Sequence, residues 1–301
     1  MSRYLVTGAA GFTGRYLTAL LADAGHEVHG IVHGAPDARV AGIVAEHACD
    51  LADADAVRAV IADTRPDHVA HLAAIAFVAH GDIAEMYRTN IVGTRNLLDA
   101  LATTAVGART VLVASSANIY GNARAGILDE SMTPAPANDY GVTKAATEQL
   151  CAIYGDRLPI IVTRPFNYTG RGQSAQFLIP KIVDHARRRA PVLELGNIDV
   201  ARDFSDVRAV ADAYQALLAT PEAAGGTFNI CSGRAVTLRD IIAMVESLSG
   251  HRFEVMVNPA LVRANEVRSL AGNRARLESA IGSRAFPSLE ETLQWMLADA
   301  D

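Results

Sequence analysis

The run Thr7-Gly8-Ala9-Ala10-Gly11-Phe12-Thr13-Gly14 constrains this chain more than any other feature. An apolar stretch at 4–7 that suits a buried strand precedes it, and a helical pattern over 12–24 follows. Glycines at this spacing permit a tight turn, close approach of backbone to a pyrophosphate, and close packing of helix on strand. The helix start beyond them presents free N–H groups and a partial positive charge. Three glycines also occur in plain turns, and it is their place at the first strand–helix junction that selects dinucleotide binding. Gly8, Gly11, Phe12, Thr13 and Gly14 are thus candidate cofactor contacts.

The alternation continues along the first half. Strand-like runs fall at 27–32, just before Cys49, and at 68–72, 110–115 and 159–164, with helical stretches at 83–102 and 140–154. Apolar strands separated by helices call for a parallel sheet covered on both faces. Right-handed crossovers then give an α/β fold, a Rossmann-type doubly wound parallel sheet. Gly/Pro/polar loops at 169–175, 222–226 and 283–288 mark a change of character, and the strands there are short and scattered. The expected division is a dinucleotide-binding domain over 1–166, with sheet segments returning near 200–230, and a smaller substrate-binding lobe mainly over 167–301. A chain of 301 residues can bury a core for both.

Thirty-three acidic side chains against 27 basic ones give a net charge of −6, which argues against nucleic-acid or anionic-membrane partners. Local arginines still suit an anionic small ligand. No stretch approaches the roughly 18 uncharged apolar residues of a membrane span, and Met1-Ser2-Arg3 leads into a short apolar run without a signal-peptide pattern. A cytoplasmic location is expected. Cys49, Cys151 and Cys231 are far apart and odd in number, so buried reduced thiols are expected. The nine histidines show no metal-ligand spacing, and no metal is assigned.

The end of the second strand bears on the cofactor. A carboxylate there would bind a ribose 2′-OH and repel a 2′-phosphate, but the run is His29-Gly30-Ile31-Val32-His33-Gly34. NADPH is therefore favoured, with NADH the alternative. His33 is a candidate phosphate contact, with Arg39 a few residues on; an exposed loop histidine fits equally well. Asp50 and Leu51 stand where an adenine contact is expected, although a simple turn aspartate also fits.

Tyr140-Gly141-Val142-Thr143-Lys144 sets a phenol and an ammonium one helical turn apart on one face. A nearby cation favours phenolate and is expected to draw the phenol's pKa toward neutrality. Such a group is a workable acid for a carbonyl oxygen gaining a hydride.

Taken in order, TGAAGFTG, HLAA at 71–74, NIVGTRNLL from Asn90, SSANIYG, YGVTK and RPFNYTG cover nearly the whole chain. In these motifs the sequence resembles the extended short-chain dehydrogenases/reductases that act on nucleotide sugars. The resemblance implies Tyr140 as proton donor, Lys144 as its partner and a nicotinamide-ribose ligand, Ser116 as the hydroxyl on the substrate carbonyl, and Asn90 in the proton relay. It adds Leu72, Ala73, Ala74, Pro165 and Phe166 to the cofactor contacts. Dehydratases of that family carry an acidic residue just after the catalytic hydroxyl; Ala117 and Asn118 stand here, which disfavours dehydration.

Segments 164–167, 170–173, 193–200, 202–204 and 228–233 resemble the family's reductases of GDP-4-keto-6-deoxy-D-mannose more than its UDP-sugar epimerases. Tyr168 and Arg171 depart from the histidine and proline often found there, which leaves product configuration open. The implied reaction is NADPH-dependent reduction of the C4 ketone of a GDP-linked 4-keto-6-deoxyhexose to GDP-D-rhamnose or GDP-6-deoxy-D-talose. An NAD-dependent nucleotide-sugar 4-epimerase is the alternative; a third class, a cofactor-sensing regulator, usually lacks the Tyr/Lys pair. Asn167, Arg202 and Arg263 are the candidates for the diphosphate and its ribose, and Lys181 for the base. Arg187-Arg188-Arg189 reads as a solvated helix end. A homodimer through helices 83–102 and 140–154 is implied; Leu97, Leu98 and Leu101 suit that face or the core equally.

Overall fold

The computed structural model describes residues 1–34, 40–76, 81–104, 107–122, 126–259 and 268–298. Its main sheet has seven strands among the described residues, all parallel, in the order Thr227–Ile230, Ile160–Pro165, Thr110–Ala114, His68–His71, Arg3–Thr7, Glu27–Val32 and Ala45–Ala48. This is the expected doubly wound sheet. The order reverses beside Arg3–Thr7, so the first strand lies at the switch point where such sheets receive ligands.

Each face of the sheet has its own apolar layer. On one face Leu17 and Leu21 of helix Phe12–Asp23 meet Val210, Tyr214 and Leu217 of helix Val207–Leu218. On the other, Val57 and Ile61 of helix Ala54–Thr64 pack with Leu97, Leu98 and Leu101 of Gly93–Thr103 and with Cys151 and Tyr154 of Asp139–Tyr154. Burial of each such side chain contributes about 1.5–3 kcal/mol before entropy is counted. Leu97, Leu98 and Leu101 are therefore core residues, not a partner face. Val142 and Ile153 of helix Asp139–Tyr154 are exposed large apolar residues, at 39% and 67%, as is Val92, at 42%, just before helix Gly93–Thr103.

Two departures from the sequence pattern have physical causes. Helix Ala54–Thr64 falls where the pattern marks no element, because only Val57, Ile61 and Thr64 are buried and the other positions are mostly alanines and charged residues; Asp53 caps it by accepting from Asp55 and Ala56 N–H. The long helix over 83–102 is interrupted by a π-turn at Arg88–Val92, with Asn90 at its centre. Such bulges free backbone carbonyls from the regular ladder.

Apart from Thr227–Ile230, the short strands beyond Phe166 pair outside the main sheet. Ala201–Asp206 lies between Ala235–Thr237 and Ser269–Gly272, Gly126–Leu128 joins the far side, and Asn167–Thr169 pairs with Ala201–Asp206 as well. Strands Glu254–Val257 and Val192–Leu195 pair separately over a cluster built from Ile179, Ile182, Ile241, Val245 and Leu293. The three cysteines are buried and unpaired. No helix among the described residues is long and apolar enough to cross a membrane.

Candidate active site

The glycine turn sits at the carboxyl end of the first strand. Gly8 has a positive φ of +68°, and a Cβ there would lie 2.9 Å from the Ala73 backbone, so only glycine fits between the two loops. A Cβ on Gly14 would lie 2.2 Å from the Gly8 carbonyl oxygen, so the helix rests directly on the turn. Gly11 N–H closes the turn onto Gly8 O at 2.9 Å. The helix start has no side-chain cap and no acidic residue in its first turn, leaving its N–H groups for an anion. This cradle, which any side chain would fill, fits a dinucleotide diphosphate.

The carboxyl ends of the neighbouring strands carry the other candidates. Leu72 and Ala73 bind back to Thr7 through Leu72 N–H to Thr7 O at 3.3 Å and Ala73 N–H to Thr7 Oγ1 at 3.1 Å. His33 is exposed just past the second strand. Asp50 accepts from Ala52 N–H at 2.9 Å and from Arg88 Nη2 at 3.1 Å, and the Leu51 carbonyl accepts from Asn96. Phe166, next after strand Ile160–Pro165, is buried with Ile119, Tyr120, Leu128 and Cys231, so its ring packs in the core. Arg39 and Arg263 lie outside the described residues.

Ser116, Tyr140 and Lys144 converge at the end of strand Thr110–Ala114. Ser116 caps the short 3₁₀ turn Ala117–Tyr120 and takes two hydrogen bonds from Asn118, N–H and Nδ2, each at 3.1 Å. Both lone pairs are thereby filled, and the Ser116 hydroxyl proton is left to donate, with the Tyr140 oxygen within hydrogen-bonding reach. Asn118 is thus an orienting group that the sequence marks only as a missing carboxylate.

Lys144 donates to the Ala114 carbonyl at 2.7 Å, and its Nζ sits 5.8 Å from the centre of the Tyr140 ring. The expected drop in the phenol's pKa is not seen. Burial pushes Tyr140 up, the neighbouring Tyr168 adds to the rise, and the Ser116 hydrogen bond only partly opposes it. Burial also pushes Lys144 down to about 8. The cation is aimed at a carbonyl rather than at the phenol, so desolvation wins and Tyr140 holds its proton.

Asn90 reaches the catalytic helix by another route. Its Oδ1 accepts from Ile75 N–H at 2.8 Å, and its Nδ2 donates to Ile75 O at 3.1 Å and to Thr143 Oγ1 at 3.0 Å. Thr143 in turn donates to the Tyr140 carbonyl at 2.8 Å. The side chain therefore touches neither the Tyr140 hydroxyl nor Lys144.

Tyr168 closes the site from the second set of strands. Its hydroxyl pairs with Thr13 Oγ1 at 2.8 Å and its ring stacks on Phe12 at 5.9 Å and 8°. The substrate candidates are less gathered. Asn167 is exposed and donates to the Asp203 carbonyl at 3.1 Å; Arg202 donates to its neighbour's carbonyl; Lys181 is bound to Glu194 O at 2.7 Å. Arg171, from the other departing position, donates to Trp295 O at 2.9 and 2.6 Å. Arg187, Arg188 and Arg189 are exposed at a helix end, with Arg188 paired to Asp184.

Residues 4–231 match the model described as the NAD dependent epimerase/dehydratase family. The chain is 32% identical over 98% of its length to the GDP-6-deoxy-D-talose 4-dehydrogenase of Aggregatibacter actinomycetemcomitans, covering 96% of that protein. It is 34% identical over 99% of its length to the GDP-6-deoxy-D-mannose reductase of Pseudomonas aeruginosa, again covering 96%. Among solved structures, a Burkholderia cenocepacia protein described as a candidate epimerase is 49% identical with a TM-score of 0.93, over 98% of this chain and 97% of that one. The RMD protein of Pseudomonas aeruginosa complexed with NADPH is 33% identical with a TM-score of 0.83, over 99% and 97% of the two chains.

Proposed function

Because the chain belongs to the NAD dependent epimerase/dehydratase family, whose members are NAD(P)-dependent enzymes of nucleotide sugars, we propose that it reduces the C4 ketone of GDP-4-keto-6-deoxy-D-mannose. The product is GDP-D-rhamnose or its C4 epimer GDP-6-deoxy-D-talose. The observation that carries the reading is the burial of Tyr140 with Ser116 beside it, because burial favours the neutral phenol, the form that donates to a ketone oxygen becoming an alkoxide. Full-length likeness to a GDP-deoxysugar dehydrogenase and a GDP-deoxysugar reductase supports the substrate class.

NADPH supplies the hydride when bound. Gly8, Gly11, Thr13 and Gly14 would hold its diphosphate at the helix start, His33 would meet a phosphate, Asp50 and Leu51 the adenine, and Leu72, Ala73 and Ala74 would line the cofactor beside the turn. Lys144 holds the nicotinamide ribose, Ser116 orients the ketone oxygen, and Tyr140 gives it the proton. Asn90 fixes the catalytic helix behind them through Thr143. Residues after Phe166 mainly bind the sugar nucleotide, with Asn167 and Arg202 on its diphosphate and Lys181 near the base.

The ammonium of Lys144 is lost at lower pH than that of a free lysine, because burial brings its pKa from 10.5 down to about 8. Its charge is needed while the proton leaves Tyr140. Turnover is therefore expected to be highest below about pH 8 and to fall tenfold per pH unit above it. A kcat/KM profile for NADPH that stays level to about pH 10 would contradict this role.

The second reading, a 4-epimerase, draws on the likeness to the Burkholderia structure. The two separate on cofactor handling. A reductase purifies without bound nucleotide and consumes one NADPH per product, whereas tightly held NAD and interconversion without added cofactor would favour the epimerase.

A homodimer through the helical stretches 83–102 and 140–154 is part of the same proposal, with Val92, Val142 and Ile153 on the contact. Sedimentation should show a dimer, and Ile153→Asp should shift it to monomer with the fold kept. A wild-type monomer at micromolar concentration would remove it.

A further inference from the structure

We propose that His71 is a positioning residue that holds the glycine turn and the catalytic helix in one register through a one-way chain of buried hydrogen bonds. The proposal rests on dinucleotide binding at the Gly8 turn but not on the identity of the sugar.

His71 ends the strand His68–His71 and is 3% exposed. Its Nδ1 lies 2.7 Å from Thr7 Oγ1 and its Nε2 lies 2.9 Å from Thr94 Oγ1. The direction of the chain follows from its far end. Thr94 donates its only proton to the Asn90 carbonyl at 2.6 Å, so it must accept from His71, which places the ring proton on Nε2. Nδ1 then accepts from the Thr7 hydroxyl, whose oxygen takes the Ala73 N–H at 3.1 Å. Every donor and acceptor in the chain has one assignment, and the ring is neutral. Burial and the nearby Lys144 charge favour the same state.

Both ends of the chain touch the site. Thr7 directly precedes Gly8, and Ala73 is the residue against which Gly8 lies without room for a Cβ. The Asn90 carbonyl stands in the π-turn and also accepts from Thr147 at 3.3 Å, while the Asn90 side chain holds Thr143. One rigid imidazole thereby spans the phosphate turn and the helix that carries Tyr140 and Lys144. A flexible amide of similar size would bridge the same groups less firmly.

The test needs no sugar substrate, so it stands apart from the reductase reading. Nitrogen-15 NMR of labelled histidine should show the Nε2–H tautomer for His71 with no titration down to about pH 5. The Nδ1–H tautomer, or a midpoint near the ordinary value of about 6.5, would overturn the proposal. Thr94→Val keeps the shape but leaves the Nε2–H without an acceptor, and should weaken NADPH binding about tenfold. His71→Leu should weaken it further, and His71→Gln, which retains a donor and an acceptor, should recover part of the loss. Folded Thr94→Val protein with a lowered melting temperature and NADPH affinity within about twofold of wild type would show a structural role alone and overturn it.

Discussion

Tyr140→Phe is expected to lower ketosugar reduction by about 10³-fold or more while NADPH binds within about twofold of wild type, because a positioned general acid contributes about 10²–10⁴-fold. The ring stays, so packing beside Ser116 and Tyr168 is preserved, and only the hydroxyl with its proton is removed. The lost hydroxyl also leaves the Ser116 proton without its neighbour, since Asn118 already fills the Ser116 lone pairs. That costs stability by about 1 kcal/mol, too little to unfold the domain. Single-turnover rates with saturating NADPH measure the chemical step. A variant retaining more than about a tenth of the wild-type rate would mean that another group delivers the proton.

Gly14→Ala carries the second large effect, and two opposing terms decide its sign. In a helix, alanine gains about 1 kcal/mol over glycine. Against this, the new Cβ would stand 2.2 Å from Gly8 O, 2.7 Å from Ala9 O and 2.8 Å from Ala9 Cα, all backbone atoms of the turn that cannot rotate away. Helix Phe12–Asp23 must move off the strand, at a cost of about 1–3 kcal/mol or more for overpacking. Movement of the helix start also pulls the N–H groups from the diphosphate. Denaturation should show a net loss of about 1 kcal/mol, and NADPH titration should show affinity reduced by more than about tenfold. A variant as stable as wild type with unchanged affinity would mean that the turn relaxes freely and is not the cofactor cradle.

Much of the fold was legible because buried parallel strands are nearly continuous apolar runs. Thr110–Ala114 stands out for that reason, and the glycine turn marks the first crossover. Helix Ala54–Thr64 was not legible, since three buried residues among alanines and charged residues give a weak period. The π-turn at Asn90 has no local signature; it depends on the Ile75 loop and Thr143, far away in sequence. Motif order brought Ser116, Tyr140 and Lys144 to one strand end, as the structure shows. What the sequence could not carry was direction: that Lys144 points to Ala114 O, that Asn118 turns the Ser116 proton outward, and that Tyr168 reaches Thr13. The only hint of the last was the departure at Tyr168 from the family's usual histidine. Leu97, Leu98 and Leu101 were ambiguous because a helix's apolar stripe does not say whether core or partner covers it.

The central claim is tested most directly by incubating the protein with GDP-4-keto-6-deoxy-D-mannose and NADPH deuterated at the transferring position, then examining the product by NMR. The account predicts one NADPH consumed per sugar, deuterium at C4, and a single configuration that identifies the product as the rhamnose or the talose. Unchanged ketosugar and unconsumed NADPH, with a working control reductase alongside, would contradict it.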